Sequence, residues 1–184
     1  MAKKTSSMLA LGTQAPQFSL LDVVSGKTVG LKNAQHSLAT VIMFICNHCP
    51  YVKHVSNELS HLANDYMKKE VRFLAINSND IESYPDDSPE NMKIAAVNHG
   101  YPFPYLFDET QEVAKAYQAA CTPDFFVFDK HNMLAYRGQL DDSRPGNSIM
   151  VDGSSIRIAL DCLLSDKPVP TLQKPSIGCN IKWK

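Results

Sequence analysis

The sequence has neither an excess of charge of one sign nor a long apolar run. Its 184 residues carry a formal net charge of −1, which gives no electrostatic basis for binding nucleic acid or an anionic membrane. No apolar run approaches the roughly 20 residues that span a bilayer. The apolar run from Met8 to Leu11 is too short for a signal-peptide core. We therefore expect a cytoplasmic protein that binds neither nucleic acid nor membrane.

Cysteine is also too scarce to act as a disulfide framework. Five cysteines are an odd number, in a chain long enough to bury a sizeable core without staples. There is no internal repeat, no low-complexity linker and no second C-x-x-C pair. In a reducing compartment, the single pair Cys46-Asn47-His48-Cys49 indicates redox or metal chemistry.

That pair lies in the stretch around which the chain is organised. Residues 39–45 form a continuous apolar run rich in β-branched side chains, which predicts a strand buried on both faces. Pro50 follows the second cysteine, and proline is well tolerated in the first turn of a helix. The apolar stripe that predicts this helix consists of Val52, Val55, Leu59, Leu62 and Tyr66. Cys49 is thus expected at a helix N-terminus, where the helix dipole and free N–H groups favour a thiolate.

The remaining pattern alternates strands and helices and closes with a hairpin and a helix. A short hairpin is predicted around Gly26, further strands at 71–77 and 125–128, and a surface loop from Ser78 to Pro89. Residues 1–8 are predicted to be loose. We predict an α/β three-layer sandwich with a mixed central sheet, helices on both faces and an N-terminal hairpin extension. One domain spans residues 9–165, and a proline-containing tail, residues 166–184, packs on it.

Three motifs give this chain a family resemblance. The N-terminal signature of peroxiredoxins is similar to Gly12-x-x-Ala15-Pro16-x-Phe18-x-Leu20. The strand–cysteine–helix unit is similar to the thioredoxin active site. The Thr122-Pro123 pair ahead of a strand resembles the cis-proline loop of thioredoxin. The tail from Pro175 to Lys184 also looks like that of a peroxiredoxin-like subgroup. The chain therefore resembles a peroxiredoxin-like member of the redoxin group within the thioredoxin-fold superfamily.

The resemblance carries expectations about the site. It implies a cis bond before Pro123 and a groove in which the extended backbone of a substrate pairs with this loop. It also implies that Thr122, Pro123, Pro50 and His48 contact substrate, and it calls for no organic cofactor.

At the thiols, the sequence departs from both the thioredoxin pattern and the peroxiredoxin pattern. With Cys49 at the first thioredoxin position, the second is Val52; in the alternative register, Cys46 and Cys49 are themselves the pair. The peroxiredoxin pattern has Thr or Ser three residues before its cysteine, where this chain has Cys46, which weakens the case for peroxide reduction. We favour Cys49 as nucleophile because helix placement, rather than motif spacing, lowers a thiol pKa.

These features predict a thiol–disulfide oxidoreductase with Cys49 as the attacking thiolate. Thiol-dependent peroxide reduction, that of a peroxiredoxin-like antioxidant, is a further activity that the resemblance allows. The resolving thiol is ranked Cys46 first by adjacency, then Cys121, then Cys179, which needs the tail to dock with Ile181 and Trp183 as anchors. The expected partners are a protein or small-molecule disulfide and a dithiol reductant. The alternative is a metal-handling or redox-sensing protein without turnover; no metal is assigned, because structural zinc needs four ligands.

Overall fold

The computed structural model describes residues 3–33 and 37–184. In these ranges the chain forms ten strands and four α-helices. The helices are α1 (Pro50–Met67), α2 (Pro89–Asn98), α3 (Glu112–Ala116) and α4 (Ser154–Leu164). The strands are β1 (Lys3–Thr5), β2 (Ser19–Asp22), β3 (Thr28–Gly30), β4 (Ala39–Phe44), β5 (Val71–Asn77), β6 (Tyr105–Phe107), β7 (Cys121–Thr122), β8 (Asp124–Asp129), β9 (Leu134–Gly138) and β10 (Ile177–Asn180). Among the described residues, no helix combines the length and apolarity needed to cross a membrane.

The central sheet has seven strands in the order β3-β2-β6-β5-β4-β8-β9. Strand β4 is parallel to β5 and antiparallel to β8, so the predicted mixed sheet is confirmed. The predicted hairpin around Gly26 is also confirmed, since β2 and β3 pair antiparallel on either side of it.

Helices cover both faces of this sheet, and β4 contributes to both cores. Because side chains alternate along a strand, Val41 and Met43 pack into the core that contains α1, α2 and α4. Ile42 and Phe44 face the opposite core, which is closed by α3 and the N-terminal segment. Strand β4, which leads directly to the thiols, is therefore buried on both faces, as predicted.

The structure contradicts two local predictions. Residues 3–5 form β1 and pair with β10, so this segment is not loose; residues 1 and 2 lie outside the described residues. The loop from Ser78 to Pro89 does not run wholly on the surface, because it buries Ser78, Asn79, Asp80 and Asp87. Hydrogen bonds satisfy these side chains, and the residue composition of a loop does not predict such bonds.

The C-terminal tail folds back and packs beside the region that holds the thiols. Strand β10 lies between β1 and β7 in a second, three-stranded antiparallel sheet. Ile181 is 1% exposed and anchors the strand, whereas Trp183, the other expected anchor, is 45% exposed. The prediction for Trp183 was wrong because the chain beyond Ile181 is held by backbone contacts instead, such as that from the Lys182 N–H to Asn79 Oδ1 at 2.9 Å.

Candidate active site

Cys49 is the N-cap of α1, and Pro50 occupies the first helical turn, as the sequence predicts. The Cys49 side chain is buried. The apolar run of β4 ends at Phe44, so strand, thiol loop and helix follow one another within a few residues. This arrangement brings the backbone N–H of Val52, in the first turn of α1, close to the sulfur.

Three sulfurs gather around Thr122. Cys49 Sγ lies 2.8 Å from Cys179 Sγ and 3.2 Å from Thr122 O. Cys46 Sγ lies 3.2 Å from Thr122 Oγ1. The cysteines are reduced, and a disulfide bond measures about 2.05 Å, so Cys49 and Cys179 need only a small approach to join.

The surroundings of Cys49 favour its thiolate. A hydrogen bond from the Cys46 thiol is the main cause that lowers the pKa of Cys49, to about 5, with further bonds from Cys179 and from the backbone N–H of Val52 outweighing burial. Burial and the contact with Cys49 raise the pKa of Cys179 to about 12. The hydrogen bond to Cys49, together with burial and the charge of Asp87, raises the pKa of Cys46. Cys49 is therefore the anion of the cluster, and its two neighbours are proton donors.

Asp87 holds the turn that brings Cys46 back towards Cys49. Its Oδ1 accepts the backbone N–H groups of Asn47, at 2.7 Å, and of His48, at 3.3 Å. Its Oδ2 accepts from Asn79 Nδ2 at 2.8 Å and from His48 Nδ1 at 2.5 Å. Burial alone would raise the pKa of Asp87, but these hydrogen bonds outweigh it and the net shift is downwards.

His48 is fixed rather than solvated. Its ring stacks on Tyr84 with centroids 5.1 Å apart, and its Nε2 is buried without a hydrogen-bond partner. Cys46, His48 and Asp87 bring potential ligand atoms within 4.8 Å of one another. Both oxygens of Asp87 already accept two hydrogen bonds each, so a metal would have to displace the bonds that shape the turn. We assign no metal to this cluster.

The Thr122–Pro123 bond is cis, as predicted. The pairing edge that we expected a substrate to use is occupied by the chain itself: β10 pairs with β7 in a register that sets Cys179 opposite Thr122. Gly178 permits this approach, because a Cβ there would lie 2.0 Å from the carbonyl oxygen of Thr122. In this structure the loop presents Cys179, rather than an external peptide, to Cys49.

Two other predicted site residues lie near the cluster. Cys121 is buried, and its Sγ lies 3.6 Å from Pro123 O on the face opposite the Thr122 side chain. Burial and the nearby Asp124 raise the pKa of Cys121. Pro50 is exposed at the start of α1.

Sequence reasoning missed Asp87. It lies 40 residues from Asn47 in a segment with the composition of a surface loop. The available signal was weak: two adjacent carboxylates, Asp86 and Asp87, at the end of a loop that follows a buried strand, where the carboxyl ends of neighbouring parallel strands meet.

The buried strand, the helix-capping thiolate and the cis-proline loop define a thioredoxin-fold thiol protein. The sequence model of the AhpC/TSA family matches residues 11–137, more than half of the chain, and the chain belongs to this family. Family membership and the thiol cluster together support a thioredoxin-like redox function.

Solved structures agree with this assignment. The chain is similar to an uncharacterized conserved protein from Geobacillus kaustophilus, with 65% identity, a TM-score of 0.98 and coverage of 100% of this chain and 97% of that one. It is also similar to a hypothetical protein from Sinorhizobium meliloti, with 45% identity, a TM-score of 0.96 and 98% of both chains covered. A thiol:disulfide interchange protein of Chlorobium tepidum shares the fold at 16% identity and a TM-score of 0.65, over 84% of this chain and 98% of that one. No curated protein matches the chain significantly.

Proposed function

We propose that the protein is a thiol–disulfide oxidoreductase in which Cys49 attacks the substrate and Cys179 resolves the mixed disulfide. The observation that carries this proposal is the 2.8 Å contact between Cys49 Sγ and Cys179 Sγ. Adjacency in sequence ranked Cys46 first and Cys179 last, and this contact favours Cys179 instead.

The ionisation of the two thiols supports the same roles. A thiolate is the nucleophile in disulfide exchange, and the pKa of Cys49 is lowered to about 5, whereas that of Cys179 is raised to about 12. Cys49 is thus ionised at neutral pH, whereas Cys179 stays protonated until it attacks the mixed disulfide.

The reaction proceeds in two exchanges. The Cys49 thiolate attacks one sulfur of the substrate disulfide, the S–S bond breaks, and the other substrate sulfur leaves as a thiolate. Cys179 then loses its proton and attacks Cys49 Sγ, which forms the Cys49–Cys179 disulfide and releases the second substrate thiol. A dithiol reductant supplies two electrons and restores both thiols.

The partners are therefore a disulfide substrate and a dithiol reductant, and a reducing, cytoplasmic compartment is part of the proposal. Peroxide reduction is a weaker candidate. Cys46 stands where peroxiredoxins carry Thr or Ser, and its Sγ is engaged with Thr122 Oγ1.

Mapping of disulfides by mass spectrometry after oxidation with one equivalent of diamide tests the proposal. We expect a Cys49–Cys179 disulfide in the native chain and loss of disulfide reduction in Cys49→Ser. In Cys179→Ser, the mixed disulfide with a small substrate should accumulate. Cys162→Ser is the matched control, because Cys162 is a half-exposed thiol on α4, outside the cluster.

Two results would overturn this assignment. One is a native chain in which Cys49 pairs with Cys46, with Cys121 or with none of the other thiols. The other is stoichiometric metal retained by the purified protein with no turnover of a disulfide in the presence of dithiothreitol, which would favour the metal-handling alternative.

A further inference from the structure

The structure covers the nucleophile that the proposed function needs. Cys49 is 0% exposed, and Cys179 Sγ lies against its sulfur at 2.8 Å. Disulfide exchange requires an external sulfur to reach the attacking thiolate. The docked position of β10 therefore suits the resolution of a mixed disulfide on Cys49, but not the attack that forms this mixed disulfide.

Strand β10 occupies the backbone edge beside Cys49. Its register sets Cys179 opposite Thr122, whose carbonyl oxygen lies 3.2 Å from Cys49 Sγ. Gly178 lies so close to Thr122 that a Cβ on this glycine would stand 2.0 Å from the same oxygen. An edge of a sheet pairs with one strand at a time. An incoming extended segment and β10 therefore compete for this edge.

Few contacts hold β10 on this edge. Its pairing with β7 consists of Cys179 opposite Thr122 and Asn180 opposite Cys121, and its outer neighbour β1 is exposed along its length. Strand β4, in contrast, is buried throughout and pairs along its whole length with β5 and β8. Segments with little pairing and little buried apolar surface open at a lower free energy than the core does. Strand β10 can therefore leave β7 while the central sheet stays folded.

The chain just before β10 is attached to the central sheet independently of β7. The Ser176 hydroxyl donates to Gly138 O, in β9, at 2.7 Å, and the Gln139 N–H donates to Lys174 O at 3.1 Å. These contacts do not depend on the pairing of Cys179 with Thr122. A displaced β10 thus stays tethered a few residues before Cys179, and its return is an intramolecular step.

We propose that β10 is a displaceable cover of Cys49: it leaves β7 to admit a substrate disulfide and returns to bring Cys179 to the mixed disulfide. This inference rests on the proposed function, because it assigns the two positions of β10 to the two exchanges of that reaction. In the closed position, β10 keeps the Cys49 thiolate out of reach of oxidants and thiol reagents in solution.

Hydrogen exchange of the native chain, followed by mass spectrometry, tests whether β10 opens by itself. In the reduced chain, the amides of Ile181 and Lys182 should exchange at least roughly tenfold faster than those of β4, relative to unprotected amides. Oxidation by diamide joins Cys179 to Cys49 and should slow exchange in the tail. Equal exchange of the tail and β4 in the reduced chain would mean that β10 opens only when the whole protein unfolds, and would overturn the proposal.

Alkylation by iodoacetamide tests whether this opening exposes Cys49. In reduced Ile181→Ala, which loses the buried anchor next to β10, we expect Cys49 to be alkylated roughly tenfold faster than in the native chain. Trp183→Ala is the matched control and should react at the native rate. Unchanged alkylation in Ile181→Ala contradicts the cover.

A second variant and an internal reference keep this test decisive. Gly178→Ala places a Cβ against Thr122 O, so it should also displace β10 and accelerate alkylation while Ile181 is retained. Hydrogen exchange of β4 in both variants reports global unfolding. Faster alkylation that is matched by an equal rise in β4 exchange would come from global unfolding, and would count against the cover.

The two proposals fail in different ways. If no Cys49–Cys179 disulfide forms in the oxidised native chain, the resolving role of Cys179 fails, and the return step of β10 fails with it. If this disulfide forms, but neither exchange nor alkylation distinguishes the tail from the core, the cover alone is overturned.

Discussion

Asp87 and Cys49 are the two anions of the site, and their neighbours keep them charged in a buried setting. Burial of an isolated carboxylate or thiolate is costly unless donors surround it. Asp87 has two backbone and two side-chain donors. Cys49 has the thiols of Cys46 and Cys179 and the first turn of α1. The charge of each anion is therefore stabilised by a small number of specific contacts.

Replacing Asp87 with Ala should destabilise the fold and displace the thiol turn. The variant leaves the buried donors of Asn47, His48 and Asn79 without their acceptor, and we expect the free energy of unfolding to fall by about 3 kcal/mol or more. Urea denaturation measures this loss. Asp86→Ala is the control, since Asp86 is exposed and its contact with Asn47 uses only its backbone carbonyl. A loss below about 1 kcal/mol for Asp87→Ala would contradict the role of Asp87 in holding the thiol turn.

Stability should rise with pH because of Cys49. Between its folded pKa of about 5 and its ordinary value near 9, the unfolded chain holds a proton that the folded protein has released. The free energy of unfolding therefore gains up to about 1.4 kcal/mol per pH unit in this window, and the gain is lost as pH falls through 5. Cys46 and Cys179 are protonated in both states over most of this window, because their pKa values are raised in the folded protein and have the ordinary value near 9 in the unfolded chain.

Urea denaturation of the native chain and of Cys49→Ser at pH 5.5, 6.5 and 7.5 measures this difference. The two proteins differ only at Cys49, so the difference in slope isolates the contribution of its thiol. Equal slopes would mean that Cys49 is not an anion in the folded protein.

At the scale of elements, β10 decides which thiol meets Cys49. It spans four residues, so few backbone hydrogen bonds hold it, and its position relies on Ile181 and on the contacts of the chain beyond it. The Ile181 N–H donates to Ala120 O at 3.3 Å, and the Asp80 N–H donates to Lys182 O at 2.8 Å.

Ile181→Ala should loosen this strand. We expect a loss of about 2–5 kcal/mol in the free energy of unfolding, which is typical of removing a large buried aliphatic side chain. The yield of the Cys49–Cys179 disulfide under diamide should fall as well. Trp183→Ala is the matched control, because it truncates a half-exposed side chain two residues away. If both variants behave alike, Ile181 is not the anchor.

For the whole molecule, oxidation joins the helix-capping thiol to the tail and closes a loop of 130 residues. Such a cross-link reduces the conformational entropy of the unfolded chain, and loops of this length correspond to about 4–5 kcal/mol of stabilisation. Reduced and oxidised states should therefore differ in stability throughout the fold.

The oxidised native chain should unfold at higher urea concentration than the reduced chain. Cys179→Ser treated with diamide serves as the control and should not gain this stability, because it cannot close the long loop. An oxidised native chain that unfolds earlier than the reduced one would show that the cross-link strains the fold.

Local sequence determined the core of the site. The apolar run of β4, the cysteine before Pro50 and the stripe of α1 lie within 30 residues, and short-range rules of strand burial, helix capping and periodicity apply to them directly. The cis bond before Pro123 followed from the family resemblance, and the structure confirms it. Fold class and the strand–thiol–helix unit could thus be predicted from the sequence.

Tertiary structure decided the partners of Cys49. Asp87 lies 39 residues from His48, and Cys179 lies 130 residues from Cys49. No periodicity links positions so far apart, and adjacency gave the opposite order of resolving thiols. The loop from Ser78 to Pro89 is partly buried because backbone and side-chain donors converge on the Asp87 carboxylate. The tail docks because Gly178 allows the backbone of β10 to lie against that of β7. Both depend on surfaces that exist only once the sheet and α1 have assembled.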